Sequence, residues 1–363
     1  MLFDPRPKDR KSELFDREKE LESLSRYASL GSPIILCLGI RRIGKTSVLK
    51  VFLGESEYPS IYIDARRLAE VGYSKQGFYR LLSEEFTRIG GRFTRVVEYL
   101  KSIKGVSVAG HGVEFNWRNR EPSFSLILTK MDEYSRDHET TFIVAVDEAQ
   151  YLRFLKGYRK IDFRQIMAYS YDNLRRVKFI LAGSEMGLLY RFLGFSDPSS
   201  PLYGRVRDEV VIERFSREKS IEFLERGFSE TSVSVSRNLL EKVVDTLDGI
   251  PGWLTYFGYR FLQQGRYNVI ERILNEAVNT ALNEIRKLDH YSPLYLHILR
   301  AIALGFDSWS SIKKAVEAWI GRPIQSRTLS RLLNNLVDMS IIGKANDIYV
   351  FLDPIYEKAS KQL

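Results

Sequence analysis

The chain reads as two stretches with different patterning. In the first, short strand-length apolar runs at 33–38, 60–64, 141–146 and 177–183 alternate with segments of helical spacing. Runs that stay apolar on both sides suit strands covered on both faces of a sheet. Helical periodicity predicts helices through Leu21, Leu24 and Tyr27, and over 47–53, 78–89, 126–136 and 166–174. Alternation of strand and helix implies an α/β fold around a parallel sheet. Residues 104–117 alternate on either side of Gly110-His111-Gly112 and predict a β-hairpin that decorates the core.

After residue 215 the strand signal stops. Helices are predicted over 216–229 and 236–247, each opened by a serine able to cap it (Ser216, Ser236). Gly249-Ile250-Pro251-Gly252 is a sharp break before a helix at 253–264, and a long helix at 268–288 follows. Three further helices (291–303, 308–319, 326–339) and a short hairpin around Asn346-Asp347 describe a winged helix. The expected organisation is an α/β core at 1–214, a helical unit at 215–288 and a winged helix at 289–363.

With 44% hydrophobic and 28% charged residues, the composition is that of a folded globular protein, not a disordered one. The apolar runs are too short to cross a membrane, and Met1 to Asp9 mixes acids with bases and lacks the apolar stretch of a signal peptide. A cytoplasmic location is the expectation. The one cysteine, Cys37, falls inside the first strand and excludes an intramolecular disulfide. The formal charge of +9 invites a nucleic-acid reading, but the excess is diffuse. From His290 onward nine basic residues face six acidic ones, a modest surplus for a DNA-binding unit.

The chemistry concentrates at Gly39-Ile40-Arg41-Arg42-Ile43-Gly44-Lys45-Thr46. This fits the phosphate-cradling loop G-x-x-x-x-G-K-[ST], and a strand precedes it and a helix follows, as that loop requires. Backbone N–H groups from Ile43 to Ser47, with a helix N-terminus behind them, present themselves to phosphates. Lys45 is expected at the β- and γ-phosphates and Thr46 on Mg²⁺. Arg41 and Arg42 either touch phosphates or face solvent, and the sequence does not choose between them. A second carboxylate at a neighbouring strand end completes such a site. Asp147 and Glu148 end the 141–146 run, Asp147 suiting the metal shell and Glu148 the orientation or deprotonation of water. An adjacent glutamate favours hydrolysis over small-molecule kinase chemistry, for which no acceptor pocket is legible. Ser184 and Glu185 end the fourth run; Ser184 is either a γ-phosphate sensor or a helix cap. Arg205 is a phosphate contact, a domain contact or a surface residue. The histidines are scattered, so no zinc site is expected.

These motifs together resemble a known family. Leu14 to Leu21, Gly39 to Thr46, Val146-Asp147-Glu148, Leu202-Tyr203-Gly204-Arg205 and Gly249-Ile250-Pro251 are similar to the archaeal ATPase family of the STAND branch of AAA+ P-loop ATPases. The resemblance covers roughly 13–265 and implies an AAA+-like core, an α-helical lid and ATP/ADP with Mg²⁺. It implies that Leu14, Phe15 and Arg17 line an adenine pocket which Pro251 closes from the lid. Nucleotide state would then set how the domains sit. The chain departs from the wider branch at Glu185, where an arginine sensor is common, and Arg205 is the substitute to test. The absence of a ring-type arginine finger favours a monomeric switch with an unidentified protein partner. The alternative is an ATP-regulated DNA-binding protein whose recognition helix exposes Arg327, Arg331 and Asn334.

Overall fold

The computed structural model describes residues 1–115, 123–155, 162–264 and 270–363. Its first part contains α1 (Glu18–Leu30), β1 (Ile34–Leu38), α2 (Lys45–Glu55), β2 (Ser60–Asp64), α3 (Leu68–Val71), α4 (Lys75–Gly90) and α5 (Thr94–Lys101). There follow the hairpin β3 (Val106–Ala109) and β4 (Gly112–Phe115), then α6 (Phe124–Asp137), β5 (Phe142–Asp147) and α7 (Phe163–Asn173). The sheet is completed by β6 (Val177–Gly183), α8 (Met186–Leu193) and β7 (Asp208–Val211). The last two residues of the expected 104–117 hairpin lie outside the described residues.

Five parallel strands form the sheet in the order β2-β5-β6-β1-β7. Every position of β1, β5 and β6 is buried, as their unbroken apolar runs require. Alternate residues serve opposite faces. Ile35 and Cys37 pack with α1 and α2, whereas Ile34, Leu36 and Leu38 pack with the layer that holds α4 to α8. The register sets Asp64 opposite Asp147 and Leu38 opposite Gly183, so the C-terminal strand ends converge on one edge, where ligands bind in open α/β sheets. β7 has no counterpart among the predicted strands. It is a short edge strand, half polar in sequence, with none of the apolar run that marks its neighbours.

The second part contains α9 (Arg217–Ser229), α10 (Arg237–Leu247), α11 (Pro251–Gln264), α12 (Ile270–Arg286), α13 (Leu294–Ala303), α14 (Trp309–Ile320) and α15 (Ser326–Asp338). The wing is β8 (Ile342–Ala345) and β9 (Ile348–Phe351), and α16 (Pro354–Ser360) ends the order. Asn346 and Asp347 both take the left-handed conformation that a tight hairpin turn demands (φ 49° and 63°). Ser216 caps α9 by accepting from the Lys219 N–H, but the Ser236 side chain makes no cap bond to α10. The change of element type near 288 is not a break in packing. Residues from α9 through α16 share one hydrophobic cluster, so the helical unit and the winged helix are built on a common core.

Two features of this half escape the sequence patterning. One is α16, which packs on α12. The other is the N-terminal segment, where Leu2 and Phe3 are buried in the lid core. Phe3 meets Phe223 and Phe228 edge-on. A Cβ added at Gly227 or Gly258 would fall within 2.3–2.8 Å of its ring atoms, so the ring lies directly against two helix backbones. No helix among the described residues is long and apolar enough to cross a membrane.

Candidate nucleotide-binding site

The loop between β1 and α2 is shaped by backbone demands that its residues meet. A side chain at Gly39 would lie 2.7 Å from the Ile212 carbonyl oxygen and 2.8 Å from Ile43, and Gly44 adopts φ 102°. Arg42 adopts φ 63° without the freedom of glycine, a conformation that costs roughly 1–2 kcal/mol. No side chain caps the start of α2 at Gly44. The Lys45 ammonium is buried and donates to the Gly39 and Ile40 carbonyls at 2.8 and 2.7 Å. Burial pushes its pKa down, opposed by Glu148 and Asp147.

Asp147 is fully buried at the end of β5 and accepts hydrogen bonds from Thr46 Oγ1 at 2.6 Å and Tyr62 Oη at 2.9 Å. Burial raises its pKa, while the Thr46 and Tyr62 bonds pull the other way. A hydroxyl and a carboxylate side by side are hard-oxygen donors, and they fit a Mg²⁺ that takes its remaining ligands from phosphates and water. Among the described residues no group of three or more His, Cys, Asp or Glu is assembled for a metal.

Glu148 also takes the left-handed conformation (φ 50°). Its Oε2 accepts from the Gln150 amide at 2.7 Å and from the Ser184 hydroxyl at 2.8 Å and N–H at 3.2 Å. The carboxylate is therefore held in place by the end of β6. Gln150 Oε1 is buried with no partner among the described atoms, and a Cβ at Gly183 would press within 2.8 Å of it. Gln150, only two residues after Glu148, drew no notice in the sequence because an amide has no motif of its own.

A cavity of about 530 Å³ runs from Glu148 to the N-terminal segment. Leu14, Phe15, Arg17, Arg41 to Ser47, Glu148, Ser184 and Pro251 all line it. Phe15 packs edge-on against Phe215 and Phe223. Arg17 is buried over the Phe215 ring at 4.4 Å and donates to the Glu213 carbonyl at 2.9 Å and the Ile43 carbonyl at 3.4 Å. It thus joins the entry to α1, the phosphate loop and the start of the lid. Asp4 to Lys8 close one wall, with the Lys8 N–H bonded to Ser47 Oγ at 3.1 Å. Arg205 is not brought to this cavity. Its guanidinium grips Asp172, lies 4.8 Å over Tyr171 and donates to the Pro201 carbonyl.

Arg41 donates to Glu185 Oε1 at 3.0 Å, beside Ser184. Arg42 turns to the lid. Its carbonyl accepts from the Gly252 N–H at 2.8 Å, and its guanidinium stacks 3.9 Å over Trp253 and pairs with Glu284 of α12. Glu284 in turn accepts from Tyr356 of α16, and Trp253 Nε1 donates to the buried Asp353 at 2.8 Å.

Residues 14–257 match the family described as an ATPase domain predominantly from Archaea. The chain belongs to this family. Residues 291–351 match the C-terminal winged helix-turn-helix domain of MCM proteins. Over 99% of its length the chain is similar to a Walker-type ATPase of Pyrococcus abyssi, at 38% identity, 100% coverage of that chain and a TM-score of 0.84. It also shares the fold of the Aeropyrum pernix ORC2 protein in its ADPNP–ADP complexes, at 16% identity, 99% and 96% coverage and a TM-score of 0.60. A comparison with curated protein sequences gives no match. As an archaeal-type P-loop ATPase the chain carries a nucleotide-binding core, and the cavity above is where its loop, Glu148 and the lid residues Pro251 and Gly252 meet.

Proposed function

We propose that the protein is a Mg²⁺-dependent, STAND-type ATP switch in which the phosphate loop competes with the C-terminal half for its own arginines. The observation that carries this reading is the Arg42 linkage. One residue at the loop apex touches Gly252, Trp253 and Glu284, and Glu284 is held by Tyr356. Arg41 also reaches Glu284, at 3.6 Å. ATP phosphates in the loop attract both guanidinium groups, which fit phosphate oxygens as well as carboxylate. Each arginine drawn to phosphate leaves Glu284, and the lid and winged helix, sharing one core, follow as a body. Bound Mg²⁺ would lie on Thr46 and Asp147 and supply charge neutralisation at the γ-phosphate. Glu148 would orient the attacking water, with Ser184 and Gln150 fixing the carboxylate.

The test is Glu284→Gln. Removing the competing carboxylate charge is expected to tighten Mg·ATP binding about five- to tenfold, within the usual range of coupling between sites. Calorimetric affinities equal to or weaker than those of the parent chain would end the competition model.

A second reading, ATP-regulated DNA binding, is favoured by one observation. Arg327, Arg331 and Asn334 are exposed along one face of α15, with Lys344 exposed on the wing. The far end of α15 is docked on the core, where Ser340 Oγ accepts from the Met186 N–H at 3.1 Å and Asp338 pairs with Arg191. On this reading, binding to duplex DNA weakens steeply with salt, with a log–log slope of about −0.9 for each phosphate contacted. A flat salt response would leave the winged helix as a protein-contact module.

A further inference from the structure

Beside the metal end of the site lies a second cavity, of about 420 Å³, between the second half of α2, the strand β2 and the end of α4. Its size is that of a small-ligand pocket. Lys50, Arg88 and Arg92 line it, and so do the apolar side chains of Leu53, Ile89 and Phe93. Lys50 follows Thr46 by one helical turn, which puts both on the same side of α2. Tyr62 lines this cavity and links it to Asp147. Its hydroxyl donates to Asp147, and its ring carries the Lys50 ammonium at 5.6 Å from the centroid.

The cations here are only partly neutralised. Arg92 donates to the Gly54 and Ser56 carbonyls at 3.2 and 3.0 Å, which orients its guanidinium without cancelling the charge. Arg88 pairs with Glu85, which also accepts the Tyr62 N–H at 3.0 Å. Asp9 is the one acidic residue in the lining. Against Asp9 and Glu85 stand Lys50, Arg88 and Arg92, so the cavity keeps positive charge beside an apolar wall. Nothing in the switch described above uses it.

We propose that this cavity binds a compact phosphate-bearing molecule, its phosphate against Lys50, Arg88 and Arg92, and that Tyr62 reports occupancy to Asp147. A phosphate group offers several strong acceptor oxygens at one point, which suits three cationic donors lining one cavity from α2, the end of α4 and the turn that follows it. The apolar wall accepts a small organic portion. An anion drawing Lys50 off the Tyr62 ring shifts the phenol that supplies one of the two side-chain hydrogen bonds to Asp147. The binding itself stands apart from the switch, whereas the report to Asp147 rests on the metal role proposed for that carboxylate.

The experiment is calorimetric titration with inorganic pyrophosphate and, separately, with AMP, with and without saturating Mg·ADP. A site that Mg·ADP does not displace is expected, and Lys50→Gln should weaken it by on the order of tenfold, as befits loss of a charge-assisted contact. Tighter binding of AMP assigns an organic phosphate and tighter binding of pyrophosphate a free one, and either supports the site. Tyr62→Phe is expected to keep the binding while abolishing any effect of the ligand on ATP hydrolysis. Titrations in which Mg·ADP removes all binding, or in which Lys50→Gln changes nothing, overturn the proposal. Failure of ADP to bind at all would instead count against the nucleotide site and leave the Lys50 comparison readable.

Discussion

Glu148→Gln is expected to bind Mg·ATP as tightly as the parent chain and to hydrolyse it about 10²- to 10⁴-fold more slowly, the range associated with loss of a positioned acid–base group. The amide keeps the shape of the carboxylate and can still accept from Ser184, so the left-handed backbone at position 148 has no reason to rearrange. What it loses is the charge that polarises water. The split between unchanged binding and lost turnover distinguishes this role from a structural one. Single-turnover hydrolysis at saturating ATP is the measurement. A rate equal to that of the parent chain removes Glu148 from the chemistry.

Lys45→Ala is expected to act at the binding step instead. In the structure the ammonium is buried in the loop and satisfied by the Gly39 and Ile40 carbonyls, within reach of the phosphates the loop would cradle. Each charge-assisted hydrogen bond is worth about 1.5–3 kcal/mol, so losing one or two should weaken Mg·ATP binding by on the order of 100-fold. The burial that lowers the lysine pKa is what makes its charge effective on phosphate, because little water screens it. Fluorescent-nucleotide titration measures the effect. Parent-like affinity would mean that the loop does not hold the phosphates.

The parts of this site that can be read from sequence are those whose chemistry is contiguous. Gly39 to Thr46 is one unbroken string, and Asp147-Glu148 closes a buried strand, so local pattern suffices for both. The strands β1, β5 and β6 are equally visible because central parallel strands are apolar on both faces. β7 is not, since an edge strand can be half polar. The hidden residues are those that act through distant partners. Arg42 meets Glu284, 242 positions along the chain, and Trp253 meets Asp353, 100 positions away. No periodicity carries such pairings. Phe3 is hidden because a lone aromatic near a polar N-terminus has no repeat to betray burial; its signal was the pair Gly227 and Gly258, which leave room for the ring. Arg205 illustrates the opposite limit. Its motif leaves a phosphate contact, a domain contact and a surface position open, and only the structure shows its guanidinium on Asp172.

The packing bears on where the proposed switch would move. Lid and winged helix share a core, so on the proposed switch they would move together against the α/β sheet. The polar groups at that junction include Arg42 with Gly252, Trp253 and Glu284, Arg17 with Glu213, Asp338 with Arg191 and Ser340 with Met186, and its apolar groups include Leu2, Phe3 and Phe15 packed into the lid core. On the proposed switch, the polar contacts with Arg42 and Arg41 are the ones that anionic phosphates would weaken.

The central claim is that nucleotide in the phosphate loop sets the arrangement of the C-terminal half. It is tested most directly by the distance between spin labels at Arg175→Cys in the core and Ala318→Cys in the winged helix, both exposed, in a chain whose single native cysteine is buried. Measured by electron–electron double resonance in the Glu148→Gln background, the distance distribution should differ between the nucleotide-free and Mg·ATP-bound protein. In the Glu284→Gln protein without nucleotide it should shift toward the ATP-bound distribution. One unchanged distribution in all three states would contradict the account.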